Sequence, residues 1–161
     1  MATIERRDIR VAVRANSENR TLSGIAVPYR TLSHTLHDRA RPYRERFERG
    51  AISHHDHTVM MFGHDMSGVP LGRVGSGTLR FQETDAGLAF EVDLPESRSD
   101  ILEALRRGDL DGSVSIGFVS SEDEWQNRTK PAIRTVRSAV LHELSVVQAG
   151  AYPSAAGELN S

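Results

Sequence analysis

The feature that most constrains this chain is a two-residue alternation of apolar and polar residues that recurs along most of its length. Such alternation specifies strands with one buried face. Ile9, Val11 and Val13 alternate with charged or small residues, Asn16 to Arg20 reads as a turn, and Leu22 to Tyr29 reads as the returning strand. Thr58 to Phe62 is a short apolar run that stops at Gly63-His64-Asp65. Thr78 to Gln82 and Leu88 to Leu94 flank Thr84-Asp85-Ala86-Gly87, a hairpin signal, because Asp and Gly relieve the strain of a tight turn. Ser113 to Ser120, Ile133 to Val140 and Leu141 to Val147 are further β-rich runs. One helix is well marked: Ser97-Arg98-Ser99-Asp100 offers capping side chains, Ile101, Leu102 and Leu105 form an apolar stripe, and Gly108 supplies the stop. Arg30 to Tyr43 and Ser121 to Pro131 read as long loops. The sum is a mainly β fold with peripheral helix (α+β), mostly antiparallel, closed as a barrel or packed as a sandwich.

A chain of 161 residues sustains one core, so a single domain over 1–161 is expected. The formal net charge of −2 gives no field that favours nucleic acid or an anionic membrane. With no cysteine there is no disulfide, no thiolate nucleophile and no thiolate-ligated zinc. Nowhere is there a run of about 18 apolar residues, and the opening MATIERRDIRVAV lacks the apolar stretch of a signal peptide. The expectation is a protein kept inside the cell that made it.

Three segments carry residue types suited to catalysis. In Phe62-Gly63-His64-Asp65, a histidine follows a buried run, and an imidazole suits proton transfer at neutral pH. Taken alone, it reads first as a surface-turn histidine. In Asp111-Gly112-Ser113-Val114-Ser115-Ile116-Gly117-Phe118, two serines share one strand face between glycines, where a substrate backbone could approach closely. The spacing is not the G-x-S-x-G elbow of α/β-hydrolases, and the bland alternative is a Ser-rich strand face. In Leu141-His142-Glu143-Leu144-Ser145-Val146-Val147, alternation puts Glu143 and Ser145 on the face opposite His142 and Leu144. A carboxylate among apolar neighbours needs a partner, either a histidine to orient or one of the arginines. Two further clusters read as unremarkable. His54-His55-Asp56-His57 matches no helical metal-ligand spacing, and the arginines between Arg39 and Arg49 are diluted by Asp38, Glu45 and Glu48 into a solvated loop.

The order of these segments resembles that of the HK97-type phage prohead proteases, which are distantly similar to herpesvirus assemblins. Leu22 to Tyr29 looks like the family's opening strand, and Tyr43 to Ile52 like its acidic-aromatic stretch ending in Gly-Ala. Phe62-Gly63-His64-Asp65 followed by Leu71-Gly72 looks like the histidine motif, and Asp85-Ala86-Gly87-Leu88 like the hairpin. Gly108 to Phe118 looks like the nucleophile segment, and Glu143 to Val147, then Ala151-Tyr152-Pro153, like the closing motif. The resemblance spans about residues 20 to 155. It implies a closed or partly open antiparallel β-barrel, with a core over about 8–153 and a flexible tail at 154–161.

The same resemblance implies a serine endopeptidase with Ser115 as nucleophile, His64 as general base and Glu143 as the third member. Ser113 stays open as a rival nucleophile and His142 as a rival orienting group. Backbone N–H groups near Ser115 to Gly117 would hold the oxyanion. The implied substrates are the scaffolding segment of the major capsid protein and the protease itself, and a homodimer is a further implied partner. No cofactor, metal, nucleic acid or membrane is implied. The implied location is the host bacterial cytoplasm and then the interior of the procapsid. Two other readings fit the residues: an inactive structural or scaffold-binding capsid-assembly protein on the same fold, and a metal-dependent hydrolase built on the His54–His57 cluster.

Overall fold

The computed structural model describes residues 3–9 and 13–148. Val11, the Ala151-Tyr152-Pro153 motif and the expected tail at 154–161 lie outside the described residues.

The alternating segments form strands β1 (Glu5–Ile9), β2 (Arg14–Asn16), β3 (Thr21–Pro28), β4 (Leu36–His37), β5 (Pro42–Phe47), β6 (Ile52–Ser53), β7 (Val59–Phe62), β8 (Gly72–Arg73), β9 (Leu79–Glu83) and β10 (Gly87–Asp93). Helix α1 (Ser99–Arg107) and two long strands, β11 (Val114–Gln126) and β12 (Ala132–Val146), complete the order. The larger sheet runs β1-β11-β12-β5-β4, and β6 and β7 also pair with β12, with β8 beyond β7. The smaller sheet is antiparallel, in the order β2-β3-β10-β9.

The fold is mainly β, as the alternation requires, but the larger sheet is mixed and neither sheet closes into a barrel. The reason lies in β12. One edge of β12 is taken antiparallel by β11, and the other is shared by three short strands, β5, β6 and β7, all running parallel to it. Alternation reports that a strand exists but not the direction of its partner.

The expected loops are shorter than the sequence suggested. β11 continues through Gln126, the two runs after Pro131 are one uninterrupted strand, and the segment after Arg30 contains β4 and the start of β5. The helix forms where its apolar stripe lies, with Ile101 and Leu102 buried. Gly108, at φ 82°, takes the left-handed stop that glycine adopts without strain. No side chain caps its N-terminus. Ser99 Oγ instead donates to the Glu96 carbonyl, closing a preceding 3-10 turn (Glu96–Arg98).

One apolar cluster joins both sheets. Leu22, Val27, Leu88, Phe90 and Val92 of the smaller sheet meet Val114, Ile116, Phe118, Leu141, Leu144 and Val146 of the larger.

The middle of the arginine-rich stretch, Pro42–Phe47, is β5 and not the solvated loop expected from its charge, while Arg39 and Arg49 on either side are exposed outside it. The alternation of β5 buries Tyr43, Glu45 and Phe47. Glu45 is 2% exposed. It accepts from Arg7 Nε at 2.8 Å and from Arg134 Nη1 at 3.0 Å, and Arg134 also reaches Glu5 and Asp123. Burial works against the charge on Glu5, but the bonds from Arg134 and Arg7 outweigh it and hold that carboxyl below its ordinary range. This cluster ties β1 to β5, β11 and β12. Glu45→Ala would remove the more buried of the two carboxylates that Arg7 and Arg134 share, leaving Glu5 to bridge them. The expected cost is about 3–5 kcal/mol, measured as a fall in the urea midpoint.

Candidate active site

The site begins with the way β7 ends. Val59, Met60, Met61 and Phe62 run parallel to Glu143, Leu144, Ser145 and Val146, and the Gly63 N–H extends this ladder by donating to the Val146 carbonyl at 2.8 Å. Gly63 (φ 62°) and His64 (φ 60°) are then both left-handed. That conformation is ordinary for glycine and strained for histidine, so something must hold it. The His64 N–H donates to Ser145 Oγ at 3.1 Å, and the Asp65 N–H to the Phe62 carbonyl at 3.2 Å. The turn brings the imidazole to β12, with Nδ1 at 2.7 Å from Glu143 Oε1.

Glu143 reaches that position through a β-bulge. Gly117 pairs with Glu143 and Phe118 with Leu141, so His142 has no partner on β11. The extra residue lets Leu141 and Leu144, three apart, both face the core. Glu143 and Ser145 therefore point to the other face, opposite Gly117 and Ser115.

Glu143 is 3% exposed and fully partnered. Oε1 receives His64 Nδ1 and the Ser145 hydroxyl, the latter at 2.5 Å, and Oε2 receives Arg6 Nη1 from β1. Burial alone would raise its pKa. The bonds from His64, Ser145 and Arg6 overcome burial and lower it to about 2, so the carboxylate is ionised at neutral pH. Arg6 Nη1 also lies 2.7 Å from His64 Nδ1. Nδ1 can donate to the carboxylate or accept from Arg6, but not both. The charge-assisted bond to an ionised carboxylate favours the proton on Nδ1, the tautomer in which Nε2 is unprotonated.

Ser115 lies on β11, directly opposite Ser145 in the ladder. Both serines are 0% exposed. Their hydroxyls differ in one respect. Ser145 donates to Glu143 and accepts from His64, whereas Ser115 Oγ is buried with no hydrogen-bond partner among the described residues. No bond joins it to His64. An orphaned buried hydroxyl costs about 1–3 kcal/mol and calls for an explanation.

A family model described as the Caudovirus prohead serine protease matches residues 7–161. The chain belongs to that family. No curated protein and no solved structure matches it significantly. The prohead protease family is one of serine proteases acting in phage capsid maturation.

The rival residues sit differently in this prohead protease fold. Ser113 lies just before β11. Its N–H donates to Asp111 Oδ1 and its carbonyl accepts from Val147, two residues further from Glu143 than Ser115 along the strand, roughly 7 Å. His142 is bonded to His55, with Nδ1 and Nε2 3.2 Å apart. Burial first, and then the neighbouring His55, lowers its pKa. In the histidine cluster, His54 packs on Phe81 and the His57 N–H donates to His55 Nδ1. Among the described residues no group of three or more His, Asp or Glu is arranged to hold a metal ion. No helix among the described residues is long and apolar enough to cross a membrane.

The backbone donors expected for an oxyanion are placed otherwise than the sequence reading had them. From Ser115 to Gly117, β11 is paired on both edges, to β1 and to β12. Its N–H groups therefore lie within the plane of the sheet and not towards the face that carries the hydroxyl.

Two members of the site went unrecognised in the sequence. Alternation puts Ser145 on the face of Glu143 but does not mark its hydroxyl as the bridge between Glu143 and His64. Arg6 was not singled out; the alternation of Arg6 and Asp8 against Glu5, Arg7 and Ile9 marks two faces without saying which would meet Glu143.

Proposed function

We propose that this chain is the endopeptidase that cuts the scaffolding segment of the major capsid protein, and itself, during procapsid maturation, with Ser115 as nucleophile, His64 as general base and Glu143 as the orienting carboxylate. The observation that carries this reading is the 2.7 Å contact between His64 Nδ1 and a buried, ionised Glu143, one strand from an unbonded serine hydroxyl.

In this mechanism His64 Nε2 takes the Ser115 proton as Oγ bonds to the scissile carbonyl carbon. The proton passes to the departing amine as the C–N bond breaks, leaving an acyl ester on Ser115. Water, deprotonated by His64, hydrolyses that ester. Glu143 keeps Nδ1 protonated and stabilises the imidazolium formed in each half. Closing the last gap between Ser115 and His64 falls to substrate binding, since catalytic hydrogen bonds commonly tighten only in the complex. Ser145 is already spent as donor and acceptor, which supports Ser115 as the serine free to react.

A fluorophosphonate probe followed by peptide mapping tests the assignment. The expected adduct lies on Ser115; an adduct on Ser113 or Ser145 instead would overturn it. Self-cleavage is read separately, from the intact masses of wild type and Ser115→Ala. Identical termini would remove that part of the proposal.

A further inference from the structure

Arg6 reaches the candidate site from a strand that is anchored elsewhere. Successive residues of β1 face opposite sides of the sheet. Arg7 turns to the side of Glu45 and Phe118: its Nε donates to Glu45 Oε1 at 2.8 Å, its Nη2 to the Tyr43 hydroxyl at 3.0 Å, and its guanidinium carbon lies 5.4 Å from the Phe118 ring centroid. These contacts hold β1 down, and the ladder sets its register by pairing Arg7 with Ile116 and Arg6 with Gly117. Arg6 therefore stands over Gly117, on the face that carries Glu143.

Gly117 leaves room for the two to meet. A Cβ at that position would stand 3.4 Å from Arg6 Nη1 and 3.4 Å from Glu143 Oε2, so the ion pair crosses β11 directly above the glycine. The bonds to Glu143 are divided between its oxygens. Oε1 takes His64 and Ser145, and among the described residues Oε2 takes Arg6. The last torsion of a glutamate side chain is soft, so bonds on one oxygen alone hold the carboxylate plane loosely. Removing Arg6 would leave a buried charged oxygen bare and let the carboxylate turn to satisfy it, at the expense of the bond to Nδ1. Stability gives little reason for the pair, since the Arg6 side chain is 43% exposed and its charge is screened by water.

We propose that Arg6 is a positioning residue for catalysis: it holds Glu143 Oε2 so that Oε1 stays on His64 Nδ1. It acts through Glu143, and the inference rests on the assignment of Ser115, His64 and Glu143.

The test is a double-mutant cycle in the full-length protein, read as the rate of fluorophosphonate labelling at Ser115. Arg6→Ala is expected to slow labelling by about 10²-fold, the loss that a misplacement of about 1 Å brings, with the urea midpoint close to wild type. In the Glu143→Gln background the same change should cost less than about threefold, because the group through which Arg6 acts is gone. Arg6→Lys should stay within about tenfold of wild type, since a single nitrogen, Nη1, makes the contacts to Glu143 and His64. If Glu143→Gln labels too slowly to read, guanidinium ion at millimolar concentration decides instead: it should restore labelling of Arg6→Ala severalfold, and failure to do so overturns the proposal. Equal losses in both backgrounds, or loss of folding in Arg6→Ala, would make the role structural and overturn it. Equal rates for wild type and Arg6→Ala overturn it as well, and leave Ser115, His64 and Glu143 standing. Wild type that forms no adduct at Ser115 overturns the active-site reading and this inference with it.

Discussion

Ser115→Ala is expected to end cleavage of coexpressed major capsid protein while leaving the fold as stable as wild type or more so. Loss of the nucleophile from a serine triad lowers kcat by about 10⁶-fold, which in a cell-based assay is no cleavage at all. The stability arm follows from the same atom. Ser115 Oγ is buried and makes no hydrogen bond among the described residues, so removing it relieves a desolvation penalty without breaking a polar contact there. A gain of about 1 kcal/mol is expected, seen as a higher urea midpoint. Ser145→Ala should behave in the opposite way, because its hydroxyl bridges His64 and Glu143. Cleavage that persists in Ser115→Ala would sink the nucleophile assignment. A marked loss of stability would show that the hydroxyl has a structural partner after all.

Glu143→Gln is expected to lower kcat by about 10⁴-fold, as loss of the orienting carboxylate does in a serine triad, with the probe reaction at Ser115 slowed in parallel. An amide can present its NH2 group to Nδ1, which shifts the imidazole proton to Nε2 and removes the base. The same substitution gives a pH test. The folded carboxyl titrates at about 2, below its ordinary value of 4.5. Its contribution to stability is therefore fully present above pH 4.5 and is lost as pH falls towards 2. The stability difference between wild type and Glu143→Gln should shrink across that window and be flat above it. A variant with wild-type kcat, or a difference that grows on acidification, would remove Glu143 from the mechanism.

Much of the fold could be read from residue pattern because a half-buried strand imposes a period of two on its own sequence. The β9–β10 hairpin, the stop of α1 at Gly108 and the strand that leads into Gly63-His64 follow from neighbours a few residues apart. The basic stretch before Gly50 was misread because charge suggests solvent. Glu45 is buried only because Arg7, 38 positions away, and Arg134, 89 positions away, are brought to it. The mixed pairing of the larger sheet escaped the sequence pattern for a related reason. The direction of pairing along β12 depends on three separate strands reaching one edge, and no local pattern encodes that.

The alternation of Leu144 with Glu143 and Ser145 was enough to put the carboxylate on a face away from the core, and the motif order was enough to name the family. Sequence alone therefore determined the class of fold, the family and the short set of residues worth considering. The tertiary structure decided which of them meet. The bulge at His142 sets Glu143 opposite Gly117, the left-handed turn at Gly63-His64 swings the imidazole to it, and β1 brings in Arg6 from 137 positions away. It also separated two neighbouring serines by their bonding, with Ser145 saturated and Ser115 left bare. Each of these is a contact across strands, and its energy exists only once the chain has closed on itself.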